Sequence, residues 1–143
     1  MLTEVYTDAT KVLVEYLQLE NTPHGASQLY PEVEDAVYAE ALPKGFSAAS
    51  AAIVVGGNSE HPMKSGPITR ALRLLRVYAG NDDPAAMARI ANKCAYQINR
   101  GQGVTVASGR LISAHVESMS GVSWVPAGQR PFINISVSAR VTA

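Results

Sequence analysis

Three short stretches carry residue types that do chemistry in other proteins. VVGGNSEHPMKSG, at 54–66, places glycines after an apolar run and ahead of a Lys64-Ser65 pair, as a phosphate-binding loop does. However, Met63 stands where the second glycine of such a loop belongs, and Pro67 begins a predicted strand rather than a helix. Because the backbone cradle for a phosphate needs that helix, we expect no nucleotide site here.

Two further stretches lack the neighbouring elements or residues that their chemistry would require. GFSAA at 45–49 resembles a nucleophile turn, but that turn needs a strand before it and a helix after it, so we predict a plain turn. His115 and Glu117 share one face of a predicted strand, while His24 and His61 lie in predicted loops without ligand spacing to either. We therefore interpret His115 and Glu117 as a solvated surface pair. The sequence predicts no catalytic residue, no cofactor and no metal.

Nucleic-acid binding is a fairer alternative, because Arg70, Arg73 and Arg76 lie close together in the chain. On a strand, Arg70 and Arg76 point to one face and Arg73 points to the other, so the three do not form a continuous basic stripe. The row of aromatic residues typical of a single-strand binder is also missing. The sequence therefore disfavours sequence-specific binding of nucleic acid.

Length and composition favour a single domain over residues 1–143. The chain is 47% hydrophobic and 17% charged, which is enough apolar content for a core of its own. Its single cysteine, Cys94, cannot form an internal disulfide, and this is typical of a reducing compartment. We also expect no signal peptide and no membrane span, because the longest apolar run, AASAAIVV, is too short to cross a bilayer.

Charge is unevenly distributed along the chain, although the formal net charge is +0. Residues 1–60 hold nine acids and two bases, whereas residues 61–143 hold three acids and ten bases. One interpretation is that the two halves face each other inside one monomer. The other is a subunit with one acidic and one basic flank, which suits head-to-tail assembly into a ring.

The hydrophobic period changes in the middle of residues 70–100. The first part alternates as a strand does, and after GNDDP the apolar residues recur at helical spacing. Asp82 or Asp83 is placed to cap the helix, Pro84 suits its first position, and Gly101 is predicted to end it in a left-handed conformation. The two predicted strand faces are Leu72, Leu74 and Tyr78, and Ala71, Leu75, Val77 and Ala79; the helical stripe is Met87, Ile90, Ala91, Cys94 and Ile98.

The remaining elements complete an α+β fold. An amphipathic helix begins near Thr3, with an apolar stripe of Val5, Ala9, Val12, Leu13, Tyr16 and Leu17. Residues 20–35 and 56–67 are predicted to be irregular, the latter as a projecting loop. Further strands are predicted at 36–42, 47–57, 110–119 and 131–141. We expect a mostly antiparallel sheet of four to five strands with two helices packed on one face.

Several predicted surfaces have the composition of protein interfaces. Tyr96 falls on the polar side of the second helix, and an exposed tyrosine among basic residues is typical of a contact with another protein. Trp124 either anchors such a contact or packs its own loop onto the core. The outward face of the last two strands is polar with small side chains, which suits packing against another chain or simple hydration: Ser113, His115, Asn134, Ser136 and Ser138.

Most of the chain resembles the tail terminator, or tail completion, proteins of long-tailed bacteriophages. The resemblance lies in VEYLQL at the end of the first helix, YPEV, AAIVVGG, LRLLRVYAGNDDPAAMARIANKCAYQIN, and the closing strands LISAHVESM and FINISVSARV. It implies a small α+β subunit that forms a ring, commonly a hexamer, at the junction of tail and neck in the virion, after assembly in the host cytoplasm. The ring would cap the tail tube, stop its polymerisation and dock the head connector, while DNA passes through its lumen.

The resemblance and the charge pattern together give two predicted contact surfaces. One is between subunits, with Arg70, Arg73, Arg76 and Tyr96 against the acidic flank Glu32, Glu34 and Asp35 of a neighbour. The other touches the tail tube or the head connector and comprises Asn58, Ser59, Glu60, His61, Lys64 and Trp124. Two alternatives stay open: a head-completion or connector-adaptor protein of the neck, and a small cytoplasmic enzyme or ligand-binding domain, which needs a deep pocket.

Overall fold

A computed structural model describes residues 8–21, 31–34, 36–62, 68–123 and 130–143, with the backbone alone at 20, 21 and 58–62. Its elements are α1 (Ala9–Asn21), β1 (Val37–Ala39), β2 (Ala52–Pro62), β3 (Thr69–Tyr78), α2 (Pro84–Asn99), β4 (Gln102–Val106), β5 (Gly109–Ser123) and β6 (Phe132–Thr142). The strands form one sheet in the order β1-β2-β3-β6-β5-β4. The α+β class is confirmed, but the sheet has six strands rather than four to five, and it is mixed because β1 runs parallel to β2.

Both helices contribute to one core on one face of the sheet. The inward residues of β6 are Ile133, Ile135, Val137, Ala139 and Val141, each at most 4% exposed, as the alternation of its sequence predicts. The two helices bury their predicted stripes in the same core, α1 with Ala9, Val12, Leu13, Tyr16 and Leu17, and α2 with Met87, Ile90, Ala91, Cys94 and Ile98. Between the layers, the Tyr16 hydroxyl donates to the carbonyl of Gln97 at 2.7 Å.

Side-chain caps fix the start of each helix. Asp8 accepts hydrogen bonds from the backbone N–H groups of Thr10 and Lys11, so the described helix begins at Ala9; Thr3, where the sequence predicts its start, lies outside the described residues. Asp83 caps α2 by accepting from the N–H of Ala85, and Pro84 follows at the first helical position, as predicted.

Gly101 corrects one prediction about α2. It is not among the residues with positive φ, so the predicted left-handed end of the helix is wrong. A Cβ atom at Gly101 would lie 2.8 Å from a methyl group of Leu111 and 3.3 Å from the ring of Tyr16. Glycine is needed here because the backbone approaches the core closely, not because of its dihedral freedom.

β2 is longer than the sequence predicts. It pairs antiparallel with β3 as far as Pro62 opposite Thr69, with a bulge between Gly57 and Ser59. The prediction of a projecting loop over 56–67 is therefore wrong for residues 56–62, where the bulge allows the ladder to continue past two glycines. Residues 63–67 lie outside the described part of the chain.

β4 was not predicted from the sequence, and it forms a hairpin with β5. Val104 lies opposite Leu111 in that hairpin. The carboxylate of Glu15 on α1 accepts the backbone N–H of Ser108 in the turn at 2.8 Å and also the Ser108 hydroxyl, which ties the hairpin to the helix.

β5 is irregular along its length. A register shift between Leu111 and Ser113 places Leu111 in the core and leaves Ile112 half-buried, although strict alternation with Ala114 and Val116 predicts Ile112 on the inward face. Two further shifts, between Val116 and Ser118 and between Met119 and Val122, interrupt its pairing with β6. The side-chain oxygen of Asn99 accepts the backbone N–H of Val116 at 2.8 Å.

Arg130 joins three separate segments at the end of the sheet where β3 ends and β6 begins. Its guanidinium donates to the carbonyls of Ala79 at 2.7 Å and Ser50 at 3.0 Å, and to the carboxylate of Asp82 at 3.1 Å. These bonds hold the connection 40–51, which links the parallel strands β1 and β2, against the turn after β3. The carbonyl of Ala49 lies close to Gly80 in the same place, where a Cβ atom would approach it to 2.6 Å.

Replacing Arg130 by alanine should destabilise the fold by about 3 kcal/mol, because charged hydrogen bonds are lost and their acceptors are left unsatisfied. Urea denaturation followed by circular dichroism measures this. Arg110→Ala is the matched control, since Arg110 is exposed on β5 and its loss should cost less than about 0.5 kcal/mol. Equal stability of the two variants would show that the bonds of Arg130 do not hold these segments together.

Candidate functional site

The side of the sheet away from the helices carries polar and charged side chains. We call it the open face; it comprises the outward residues of β2, β3, β5 and β6. On β6 these are Phe132, Asn134, Ser136, Ser138 and Arg140, as the sequence predicts. Near β1 this side is partly covered by the connection 40–51, where the ring of Phe46 meets Tyr38 edge-on at 5.6 Å.

A basic pocket lies on the open face where β3, β6 and β5 adjoin. It has a volume of about 310 Å³, and its lining is Arg70, Ser113, His115, Ser138 and Arg140. Arg70 pairs directly opposite Arg140 in the antiparallel ladder of β3 and β6, and Arg140 in turn pairs with Ser113 of β5. One register row across the sheet thus brings together side chains that are 27 or more positions apart in sequence and that donate hydrogen bonds.

His115 and Glu117 form the surface pair predicted from the sequence. Nε2 of His115 lies 2.8 Å from Oε1 of Glu117, and both side chains are largely exposed. No three His, Cys, Asp or Glu side chains come together as a metal site within the described ranges. Cys94 is fully buried in the core, and burial raises its pKa to about 12, so its thiolate is not available at neutral pH.

A second, smaller pocket of about 170 Å³ lies nearer β1. It is lined by Glu40, Val54, Gly56, Gly57, Leu74 and Arg76. The guanidinium of Arg76 stacks over the ring of Phe132 at 4.8 Å, and that ring packs against Tyr78. The guanidinium of Arg130 stacks over the ring of Tyr78, 5.3 Å from its centroid. This end of the open face is therefore built from aromatic rings covered by guanidinium groups.

The three arginines of β3 separate as their alternation predicts. Arg70 and Arg76 are exposed on the open face, whereas Arg73 points to the helices and is 4% exposed. Nε of Arg73 donates to the hydroxyl of Thr10 on α1 at 2.8 Å. Arg73 thus links the sheet to α1 within the chain.

Tyr96 lies on the helix layer, on the other side of the sheet from Arg70 and Arg76. It is 56% exposed, in agreement with its predicted place on the polar side of α2, and the guanidinium of Arg100 stacks on its ring at 5.3 Å. The structure therefore does not bring Tyr96 together with the exposed arginines of β3.

The acidic flank lies beside the same helix. Glu32, in the turn 31–34, forms an ion pair with Arg89 of α2. Burial by itself raises the pKa of the Glu32 carboxyl, but the hydrogen bond and positive charge of Arg89, with Lys93 nearby, outweigh it and bring the pKa below its usual 4.5. Glu34 adopts a positive φ of 52° in this turn, and Asp35 lies outside the described residues.

The residues predicted to touch the tube or connector lie partly in β2 and partly outside the described residues. Asn58, Ser59, Glu60 and His61 belong to the backbone of β2 rather than to a loop, and His61 pairs with Arg70 in the ladder. Lys64 and Trp124 lie outside the described part of the chain.

Sequence reasoning missed Arg130 and Arg140. Arg140 stands in a strand that was correctly predicted, but its pairing with Arg70 depends on the order of strands in the sheet, which alternation alone does not reveal. Arg130 bonds mainly to backbone carbonyls, which leave no mark on the sequence.

The fold is similar to that of a chain described as belonging to the virion of a native gene transfer agent particle. The TM-score is 0.63 at 19% sequence identity, and the match covers 94% of this chain and 98% of that one. No protein-family model matches the chain, and no curated protein is significantly similar to it in sequence. Neither described helix is long and apolar enough to cross a bilayer.

Arg89→Gln should raise the pKa of the Glu32 carboxyl, because the hydrogen bond and charge that lower it are removed. Carbon-detected NMR titration of the carboxyl group measures this, with Arg110→Gln as the control. Since the folded-state pKa lies below that of the unfolded chain, the ion pair stabilises the wild type above about pH 4.5 and is lost as the pH falls through the folded-state value. An unchanged Glu32 pKa in Arg89→Gln would contradict the pairing.

Charge reversal should separate the roles of Arg73 and Arg76. Arg73→Glu should destabilise the fold by more than about 3 kcal/mol, because a buried cation bonded to Thr10 becomes an anion. Arg76→Glu should cost about 1 kcal/mol or less, the worth of an exposed stacking contact with Phe132. Denaturant unfolding of both variants gives the comparison, and similar stabilities would refute the buried position of Arg73.

Proposed function

We propose that this chain is a structural protein of a phage-like virion and that it forms a ring at the end of the tail tube. In this role the ring, commonly a hexamer in the family that the sequence resembles, stops polymerisation of the tube and provides the docking surface for the head connector. Its partners are copies of itself, the tail tube protein and the connector or stopper of the head. DNA passes through the lumen without being read.

The observation that carries the proposal is the fold likeness over nearly the whole chain. The similar chain comes from a virion particle, and the match spans 94% of this chain. The sequence resemblance to tail terminators rests on different features, namely the order of elements and the run from Leu72 to Ile98. Two independent comparisons thus point to the same class of assembly.

The distribution of charge supports a head-to-tail contact between copies. Arg70 and Arg140 lie on the open face, and neither has an ion pair with any residue that the structure describes. The acidic turn 31–34 lies on the opposite side, next to α2. A subunit whose two sides differ in this way suits a heterologous interface, the kind that closes into rings.

The proposed contact therefore joins two different sides of the subunit, and its residues do not form a single patch on one copy. Arg70 and Arg76 on the open face of one copy meet the side of the next copy that carries Glu32, Glu34, Asp35 and Tyr96. Arg73 takes no part, because it is buried against Thr10 within its own chain. The segment Asn58–Lys64 and Trp124 are proposed to contact the tube or the connector.

Two other functions are distinguished by the same experiment. A head-completion or connector-adaptor protein would share the virion location and the ring but bind the portal side. An enzyme or ligand-binding domain needs convergent polar groups in a deep pocket, whereas the two pockets described above are open depressions on a sheet surface.

Electron microscopy of a lysate whose particles lack this protein tests the proposal. We expect overlong tails without heads, because tube growth would no longer be stopped, and normal virions on complementation with the wild-type gene. Full heads with leaking or missing necks would instead identify a connector adaptor. Normal virions in the absence of the protein would exclude both roles.

A further inference from the structure

The basic pocket on the open face concentrates positive charge without compensation from its own lining. Arg70 and Arg140 stand directly opposite each other in the ladder of β3 and β6. Like charges in directly opposed positions of an antiparallel pair repel and destabilise the sheet. This arrangement does not stabilise the sheet of an isolated monomer. An anion from outside the monomer would neutralise the two guanidinium groups.

A serine in the lining of the pocket suits the same kind of ligand. Ser138 stands on β6, two residues before Arg140 and opposite His115 of β5; it lines the pocket and is 4% exposed. A hydroxyl beside two guanidinium groups is suited to donate to an oxyanion.

The pocket is also wide enough for a side chain to enter. Its volume of about 310 Å³ is open towards solvent, and its rim includes Ser113 and His115. Glu117 bonds to His115 at the rim but does not line the pocket. The paired N–H donors of a guanidinium, together with hydroxyl groups, match the planar, two-oxygen geometry of a carboxylate.

We infer that the basic pocket is a receptor for a carboxylate side chain donated by a second copy of this chain, from its acidic half. The inference rests on the proposed ring and adds Arg140, Ser113, His115 and Ser138 to its interface. The acids of residues 1–60 outnumber the bases nine to two, so a second copy presents the required charge.

The charge of the chain favours a carboxylate of a second copy over a nucleic-acid phosphate as the ligand of the basic pocket. The chain has a formal net charge of +0, whereas nucleic-acid binding is driven by a net positive surface. Arg76, the other exposed arginine of β3, is stacked on Phe132 at the far end of the strand, so the pocket does not continue into a basic track.

Sedimentation velocity of the purified chain over a range of concentrations tests the inference. The double variant Arg70→Gln and Arg140→Gln should weaken self-association at least ~30-fold, as truncation of a desolvated charge pair does. Ser138→Ala, which keeps both charges, should weaken it ~10-fold. The matched control, Lys44→Gln with Arg110→Gln, removes two exposed charges elsewhere and should associate like the wild type.

Thermal melting of the variants excludes simple misfolding as the cause. At a concentration at which both proteins are monomeric, the melting temperature of the Arg70→Gln and Arg140→Gln variant should equal or exceed that of the wild type, because removing the opposed charges relieves repulsion. A lower value would contradict the premise that these two residues destabilise the isolated sheet.

The outcomes separate the inference from the function on which it rests. If the double variant associates as well as the wild type, the pocket is not the receptor, although the ring stands. If the wild type stays monomeric at every concentration, both the ring and the receptor are refuted. Binding of a single-stranded 20-mer DNA that the double variant loses, with unchanged association, would assign the pocket to phosphate and overturn the carboxylate.

Discussion

Alternation of side chains along β3 and β6 is the constraint from which the rest of the molecule follows. Both strands are central in the sheet, so each inward residue must be apolar to meet the helices, while each outward residue is released from that requirement. Arg73 is the exception on the inward side, and its bond to Thr10 satisfies the guanidinium there. The outward positions are where the chain can vary its chemistry without disturbing its core, and they hold the basic pocket.

The parts of the fold that the sequence predicts are those encoded locally. Three features each depend on about a dozen consecutive residues: the alternation in β6, the cap at Asp83 with Pro84, and the apolar stripe of α2. The structure contains all three. Val104 and Val106, followed by the Ala107-Ser108 turn and Gly109, carried a hairpin signal that marks β4, although their run is short. By contrast, the extension of β2 past Gly57 depends on pairing with β3, which overrides the loop-like composition of that stretch.

The candidate site was harder to predict because it depends on strand order. The exposure of Arg70 and Tyr96 follows from periodicity, but the sides of the molecule on which they lie follow from topology. The parallel pairing of β1 with β2 was equally invisible, since a connection of twelve residues suits a hairpin with a long loop as well as a crossover. Arg130 secures that crossover by bonding to carbonyl groups of two segments, at Ser50 and Ala79, and this pattern is visible only once the chain is folded.

The two margins of the sheet determine how readily the backbone of one molecule can pair with that of another. β1 offers three residues at one margin. At the other margin β4 offers five, and β5 beyond its pairing with β4 is broken by bulges, with one of its amides already taken by Asn99. Strands that are short or kinked are poor templates for amyloid-like growth. The backbone at these margins is therefore a poor template for indefinite stacking of sheets from one molecule to the next.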